Sequence, residues 1–277
     1  MKIINREFEG ERPLYASRSV CIENVIVHEG ESALKESTDV DALNCVFEGR
    51  YPFWCCDGVR IAGSRFTEDS RAPIWYSRDV SMKDCEVLAP KILRELDGVS
   101  LQGCSFPKAV ETLWCCRGIS IEDCSFNAAD YLCFRSSGIK VRGLHLKGKY
   151  TFQYCHDIEI RDSVLDTKDA FWESDNVTIY DSLVKGEYLG WYSRGLRLVR
   201  CRISGTQPLC YAKGLVLEDC SFEPDADLAF EYSEVEAVIN GAVTSVKNPL
   251  TGHIKAGSYG EIIIDGNLKA PGDCVIE

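Results

Sequence analysis

The sequence predicts an all-β fold, a single-domain right-handed parallel β-helix of about 12 rungs of 19–21 residues. Three observations predict it. A W-[YC]-[SC]-x-[GD]-[VIL] segment returns along the chain, as in WCCDGV (54–59), WYSRDV (75–80), WCCRGI (114–119) and WYSRGL (191–196). The apolar residue that closes each segment recurs at a steady spacing: Val20, Val40, Val59, Val80, Val99, Ile119, Ile139, Ile158, Val177, Leu196, Leu215 and Val235. Around these anchors apolar and polar residues alternate with a period of two, which is the pattern of a strand.

Each column of the repeat has a physical reading. The residue before the anchor is usually Gly, Asp or Asn (Gly58, Asp79, Gly118, Asn176), types that tolerate a positive φ, so a turn is expected there. The anchor and the positions two and seven residues later are apolar (Ile119, Ile121, Phe126), while Ser120 and Glu122 between them are polar. These positions read as a strand with one buried face. Four residues past the anchor, Asp, Asn or Gly marks a second bend. The next position holds Cys45, Cys85, Cys104, Cys124, Cys201 and Cys220, with Ser64, Ser163 and Ser182 in other rungs. Three residues before the anchor, Cys56, Cys116 and Cys155 alternate with Ser17, Ser37, Ser77, Ser136, Ser174 and Ser193. Columns that accept Cys and Ser alike need small volume at an inward corner rather than a thiol. Cys104 and Cys124 are expected one rung apart, a separation a disulfide tolerates; the expected compartment argues against one.

The residues that join one strand to the next turn (YPFWCC, APIWYS, YTFQYC) are rich in aromatic, β-branched and proline residues. A leucine-rich repeat of the same period needs a helical segment there, so a second short strand is expected instead. Residues 1–14 are expected to cap the solenoid, 15–235 to form the regular rungs, and 236–277 to form irregular rungs and a second cap, with strand character in Glu261–Asp265. Polar caps protect the open edges of a solenoid.

Composition narrows the function classes. The chain has 277 residues, 45% hydrophobic and 27% charged, with a net charge of −12. That charge argues against nucleic acid, whose binding rests on phosphate neutralisation. No run is long and apolar enough to span a membrane. The start MKIINREFEGERPLYAS carries acidic residues where a secretory signal needs an apolar core, and fifteen cysteines fit a reducing compartment. A cytoplasmic location is therefore expected.

The entry GERPLYAS, the W-[YC]-[SC]-x-[GD]-[VIL] rungs and the ending VKNPLTGHIKAGSYGEIIID resemble an uncharacterised bacterial domain-of-unknown-function family. The resemblance implies a pectin-lyase-like β-helix over essentially the whole chain. It implies no activity and no catalytic residues, and fold analogy alone does not supply them.

Candidate functional residues follow from the outward columns. Five residues before the anchor stand Trp54, Trp75, Trp114, Trp172 and Trp191, all the tryptophans of the chain. Lys35, Arg94 and Gln153 share that column, which argues for an outward stripe. The next column holds Tyr76, Tyr154, Tyr192 and Tyr211, with Glu36, Glu95, Glu173, Glu231 and Arg135. Rings beside carboxylates suit a saccharide, with Trp54, Trp75, Trp114, Trp172, Trp191, Tyr76, Tyr154 and Tyr192 as substrate-binding residues. The alternative is structural packing, or a non-catalytic scaffold face for a protein partner or a second copy. Were there catalysis, Glu95 with Arg94 and Arg135, and Glu173 further along, would be the groups to carry it, since glycoside hydrolysis needs two carboxyl groups. Surface ion pairing explains the same residues. His145 and His156 fall in successive rungs, where they can approach. The cysteine pairs at 55–56 and 115–116 lack zinc-ligand spacing, so no metal is expected. No cofactor is expected, for want of any phosphate-binding or dinucleotide fingerprint. The even rung length also argues against catalysis, because active clefts are commonly built from long loops.

Overall fold

A computed structural model describes residues 1–266 and 273–277 of the chain, and every regular element among them is a β-strand. The chain divides into two compact units, Met1–Ile139 and Lys140–Glu277.

In the first unit, six-residue strands such as Arg18–Glu23, Thr38–Leu43, Asp57–Ala62, Arg78–Lys83, Asp97–Gln102 and Arg117–Glu122 pair in parallel. Their register runs Val20↔Val40↔Val59↔Val80↔Val99↔Ile119, so the anchors stack one on another. Each turn continues into a short strand, for example Arg65–Phe66 or Ser105–Phe106, in a second parallel row. The expected extra strand exists as Phe53–Trp54 paired with Ile74–Trp75. It extends as single bridges from Trp75 to Arg94 and from Arg94 to Trp114. Residues 1–14, expected as a cap, pair in register as a further turn, with Lys2↔Cys21 and Glu7↔Ile26.

The second unit repeats the scheme with Ile158↔Val177↔Leu196 and Leu215↔Val235. Its last strands are longer. Glu234–Lys247 pairs with Thr251–Ile263 across an irregularity between Ile239 and Ala242, and Asp273–Ile276 pairs with the start of the latter.

Like side chains stack inside each unit because the register superposes like columns. Phe47 lies on Phe66 with ring centroids 4.9 Å apart, and Phe106 lies on Phe126 at 4.3 Å with the planes 3° apart. Phe152 and Phe171 do the same in the second unit at 5.6 Å. Such pairs add about 0.5–1.5 kcal/mol each beyond simple area burial.

The Cys/Ser corners have a chemical role besides their size. Ser77 Oγ accepts the backbone N–H of Cys56 in the preceding turn at 2.9 Å, and Ser136 Oγ accepts that of Cys116 at 2.8 Å. Ser64 Oγ accepts from Cys45 N at 2.9 Å while donating to Ala62 O, two residues back, at 2.9 Å. Cys124 Sγ takes the same place, receiving Cys104 N at 3.4 Å and donating to Glu122 O at 3.2 Å. At these buried corners the column supplies a small group that both donates and accepts. No disulfide joins any of the described cysteines. Burial pushes the Cys56 and Cys116 thiols up to about 12.

Candidate functional site

The corner four residues before each anchor is left-handed. Cys55, Tyr76, Glu95, Cys115 and Arg135 have φ between 53° and 56°. Non-glycine residues adopt this region at a cost of about 1–2 kcal/mol. Hydrogen bonds to the next turn hold them there: Tyr76 N donates to Arg94 O at 3.0 Å, and Glu95 N to Trp114 O at 2.8 Å. The side chains at these corners are exposed, whereas Phe53, Ile74 and Leu113 two positions earlier are fully buried.

The tryptophan column lies between these extremes, half-exposed and directed out of the core. Its rings use their faces on one another. Trp54 stacks on Trp75 at 5.4 Å, the Arg94 guanidinium lies 4.5 Å from both Trp75 and Trp114, and Trp114 contacts Phe134 at 5.0 Å. Trp75 Nε1 donates to Lys91 O at 2.8 Å, and Trp114 Nε1 to Tyr131 O. The column therefore presents ring edges, not the open faces on which a sugar stacks. Arg94 and Glu95 are neighbours in sequence but separate in role. Arg94 is held between two indoles with its Nη2 3.3 Å from Glu111, while Glu95 stands on the exposed corner. Arg135 lies against Phe134, its guanidinium 5.2 Å from the ring.

Glu95 lines an open groove of about 640 Å³ in the first unit, together with Tyr76, Arg78, Asp97, Cys115 and Arg117. The groove spans three successive turns. On one side stand the corner residues Tyr76, Glu95 and Cys115. On the other stand Arg78, Asp97 and Arg117, which are aligned by the strand register. Arg78 leans towards Asp57 at 3.5 Å, whereas Glu95, Asp97 and Arg117 hold no ion-pair partner among the described residues. Tyr76 is 43% exposed and sets its ring against Trp54 at 5.1 Å. Arg78, Asp97 and Arg117 were missed by sequence reasoning. The signal was present in the alternating series Asp57, Arg78, Asp97, Arg117 two residues before successive anchors.

The remaining candidates belong to the second unit. Trp172 and Trp191 stack at 5.7 Å, Tyr192 meets Tyr211 at 5.4 Å, and Tyr211 meets Tyr232 at 5.2 Å. Tyr154 and Glu173 are exposed corner residues with φ of 57° and 49°. The sequence alignment of columns fails at the last anchor. Tyr232, not Glu231, takes the left-handed corner, because Tyr211 N donates to Glu231 O and Ser233 Oγ accepts from Ala212 N. Glu231 turns inward, 8% exposed, bound to Lys247 at 2.8 Å and to Gln207 at 2.7 Å. Asp169, also in this unit, is 2% exposed with Oδ1 unpartnered, and burial raises its carboxyl to about 6.

His156 is engaged with the neighbouring Asp157 at 2.8 Å, and His145 opens the exposed side of the strand His145–Lys149. Among the described residues no group of three His, Cys, Asp or Glu side chains can hold a metal ion. No helix among the described residues is long and apolar enough to cross a membrane.

Three solved structures illustrate what the chain is similar to. The periplasmic alginate epimerase AlgG matches with a TM-score of 0.33 and 10% identity, covering 100% of this chain and 77% of that one. The catalytic domain of a GH87 α-1,3-glucanase in complex with tetrasaccharides matches with a TM-score of 0.31 and 9% identity, covering 99% and 63%. The plasmid-mediated fluoroquinolone resistance protein QnrB1 matches with a TM-score of 0.25 and 10% identity, covering 80% and 92%. Superpositions this loose carry no functional argument. Among curated proteins nothing matches. One family model does match, over residues 1–277, and the chain accordingly belongs to the family described as "Protein of unknown function (DUF3737)".

Proposed function

We propose that the chain is a saccharide-binding protein whose site is the groove of Tyr76, Arg78, Glu95, Asp97 and Arg117. The observation that carries the reading is the groove itself: about 640 Å³ of open space with an aromatic side chain on one wall and ion-pair-free Glu95, Asp97 and Arg117 around it. Carboxylates accept hydrogen bonds from sugar hydroxyls, and a guanidinium donates several in a fixed fork. Tyr76 adds an amphipathic ring with a polar end. The Trp54–Trp75–Arg94–Trp114 stack stiffens the wall behind, so its tryptophans support the site without facing the ligand.

Binding without cleavage is the better fit. Glycoside hydrolysis needs one carboxyl kept protonated, which active sites achieve by burial or crowding. Glu95 and Asp97 are both exposed, and they come from one turn.

An oligosaccharide panel read by glycan array and by ligand-induced thermal shift tests the proposal. Tyr76→Ala and Glu95→Gln are each expected to weaken a positive response at least about tenfold, equivalent to about 1.4 kcal/mol. Trp172→Ala, in the other unit, should leave it unchanged. No response across a broad panel, or binding indifferent to Tyr76 and Glu95, overturns the reading. A response confined to protein partners or self-association favours the scaffold alternative instead.

A further inference from the structure

The terminal turn of the first unit brings little apolar surface with it. Leu14 is the one buried residue among positions 1–14. Backbone ladders hold this turn to the next, helped by Met1 N donating to Ser19 O at 2.7 Å and by Lys2 with Glu23 at 2.9 Å. Segments with few buried contacts open most readily.

One side-chain column crosses from this turn into the two behind it. His28, on the strand Ile26–Glu31, places Nε2 3.0 Å from Glu7 Oε2 in the terminal turn and Nδ1 2.9 Å from Glu48 Oε2 in the third. Ionised carboxylates only accept hydrogen bonds, whereas a neutral imidazole carries a single N–H. Both contacts can be hydrogen bonds at once only when the ring is an imidazolium with two donors.

We propose that Glu7, His28 and Glu48 form a proton-operated tie on the terminal turn, closed while His28 is charged and released at Glu7 when it is neutral. Glu7 is the side that lets go because its side chain is 69% exposed on the outermost turn, against 35% for Glu48. Most neighbouring charges are engaged elsewhere or are themselves acidic. Arg50 binds Glu31, Arg65 binds Glu86 and Arg12 binds Glu11, while Glu9 and Glu29 add negative charge on the same strands. Arg6 adjoins Glu7 in the chain and Arg71 lines the groove beside Glu48, yet among the described residues neither carboxylate forms an ion pair with any group but His28. The hydrogen bonds to Glu7 and then Glu48 raise the His28 pKa above its ordinary 6.5. A raised base contributes its stabilisation fully below the unfolded value, and that contribution is lost as pH rises through the folded value. The tie is thus closed at mildly acidic pH and open at alkaline pH.

Amide hydrogen exchange between pH 5.5 and 8.5, corrected for intrinsic rates, tests this in the full chain, with the ring followed by NMR. Protection of the Glu7–Glu11 amides should fall about two- to fivefold as pH rises, the range of an exposed ion pair. The midpoint should follow the His28 titration, while the Ile119–Ile121 amides stay constant. His28→Gln and Glu7→Gln should each abolish the pH dependence. Wild-type protection flat across this range, an unchanged pH response in either variant, or a His28 that titrates at or below 6.5 overturns the proposal.

Discussion

Replacing Ser136 by alanine should loosen the chain at one identifiable amide, that of Cys116. Ser136 is fully buried, accepts the Cys116 N–H at 2.8 Å and donates to Leu113 O at 2.7 Å. Removing the hydroxyl orphans both groups, and each buried orphan costs about 1–3 kcal/mol. The structure also contains the means of partial rescue. The Ser193 N–H faces a turn that presents Ala212 instead of a serine, and it turns to Gly190 O, three residues back, at 3.0 Å. In the variant Cys116 N can reach Leu113 O in the same way, so the two orphans satisfy each other at the expense of a strained corner. The expected cost is about 1–2 kcal/mol, which makes exchange of the Cys116 amide roughly 5–30 times faster. Ser136→Cys should lose about as much, because opposite Cys56 and Cys155 in this same column the N–H groups of Ser37 and Ser136 also turn back three residues, to Leu34 O and Cys133 O. Amide exchange is the right assay because a chain of two units need not unfold in one transition. Protection of Cys116 within twofold of wild type in Ser136→Ala would refute the hydrogen-bonding account of the column.

Two further perturbations follow. Asp169→Asn should stabilise the second unit at pH 8 by about 1–3 kcal/mol, the lower end applying if solvent screens the charge. Its raised carboxyl favours the folded state only while protonated, so Asp169 contributes a loss of stability as pH climbs from 3.8 to about 6, a contribution absent from the variant. Asparagine also tolerates the 50° φ at this position. Urea unfolding at pH 4 and pH 8 checks both statements, and equal pH dependence in the two proteins rejects them. Arg94→Ala should cost about 1–3 kcal/mol by removing the guanidinium between two indoles, with a shift in tryptophan emission. Arg94→Trp should be tolerated much better, since it continues the ring stack. Urea curves that rank alanine equal to or above tryptophan would show that the stack contributes nothing.

The fold was legible because a solenoid writes its register directly into its spacing. The anchors Val40, Val59, Val80 and Val99 pair as their intervals require. Side-chain orientation was legible for columns of uniform polarity, such as Phe53, Ile74 and Leu113, and ambiguous for mixed ones. Arg94 among tryptophans signalled an outward column, but sequence cannot reveal that the guanidinium fills a ring's place in a stack. The groove was half legible. Glu95 and Tyr76 stood out by type, whereas Arg78, Asp97 and Arg117 looked like ordinary strand-end charges until the register aligned them. Glu231 was misplaced because counting from the anchor presumes that all corners have equal length, and the last turn drops a residue between corner and anchor. The Glu7–His28–Glu48 column was invisible while residues 1–14 read as a cap instead of a paired turn.

The corner serines and cysteines also bear on how such a chain can change length. At Ser64, Ser77 and Ser136 alike the hydroxyl accepts a hydrogen bond from the backbone N–H of the turn before it. Excising one whole period within a unit leaves the columns of the remaining turns in line with one another. Deleting a single residue slides every later column out of line with its neighbours. Gain and loss of coding sequence in multiples of a period are therefore the steps this architecture tolerates, and shorter frames of change are the ones it rejects.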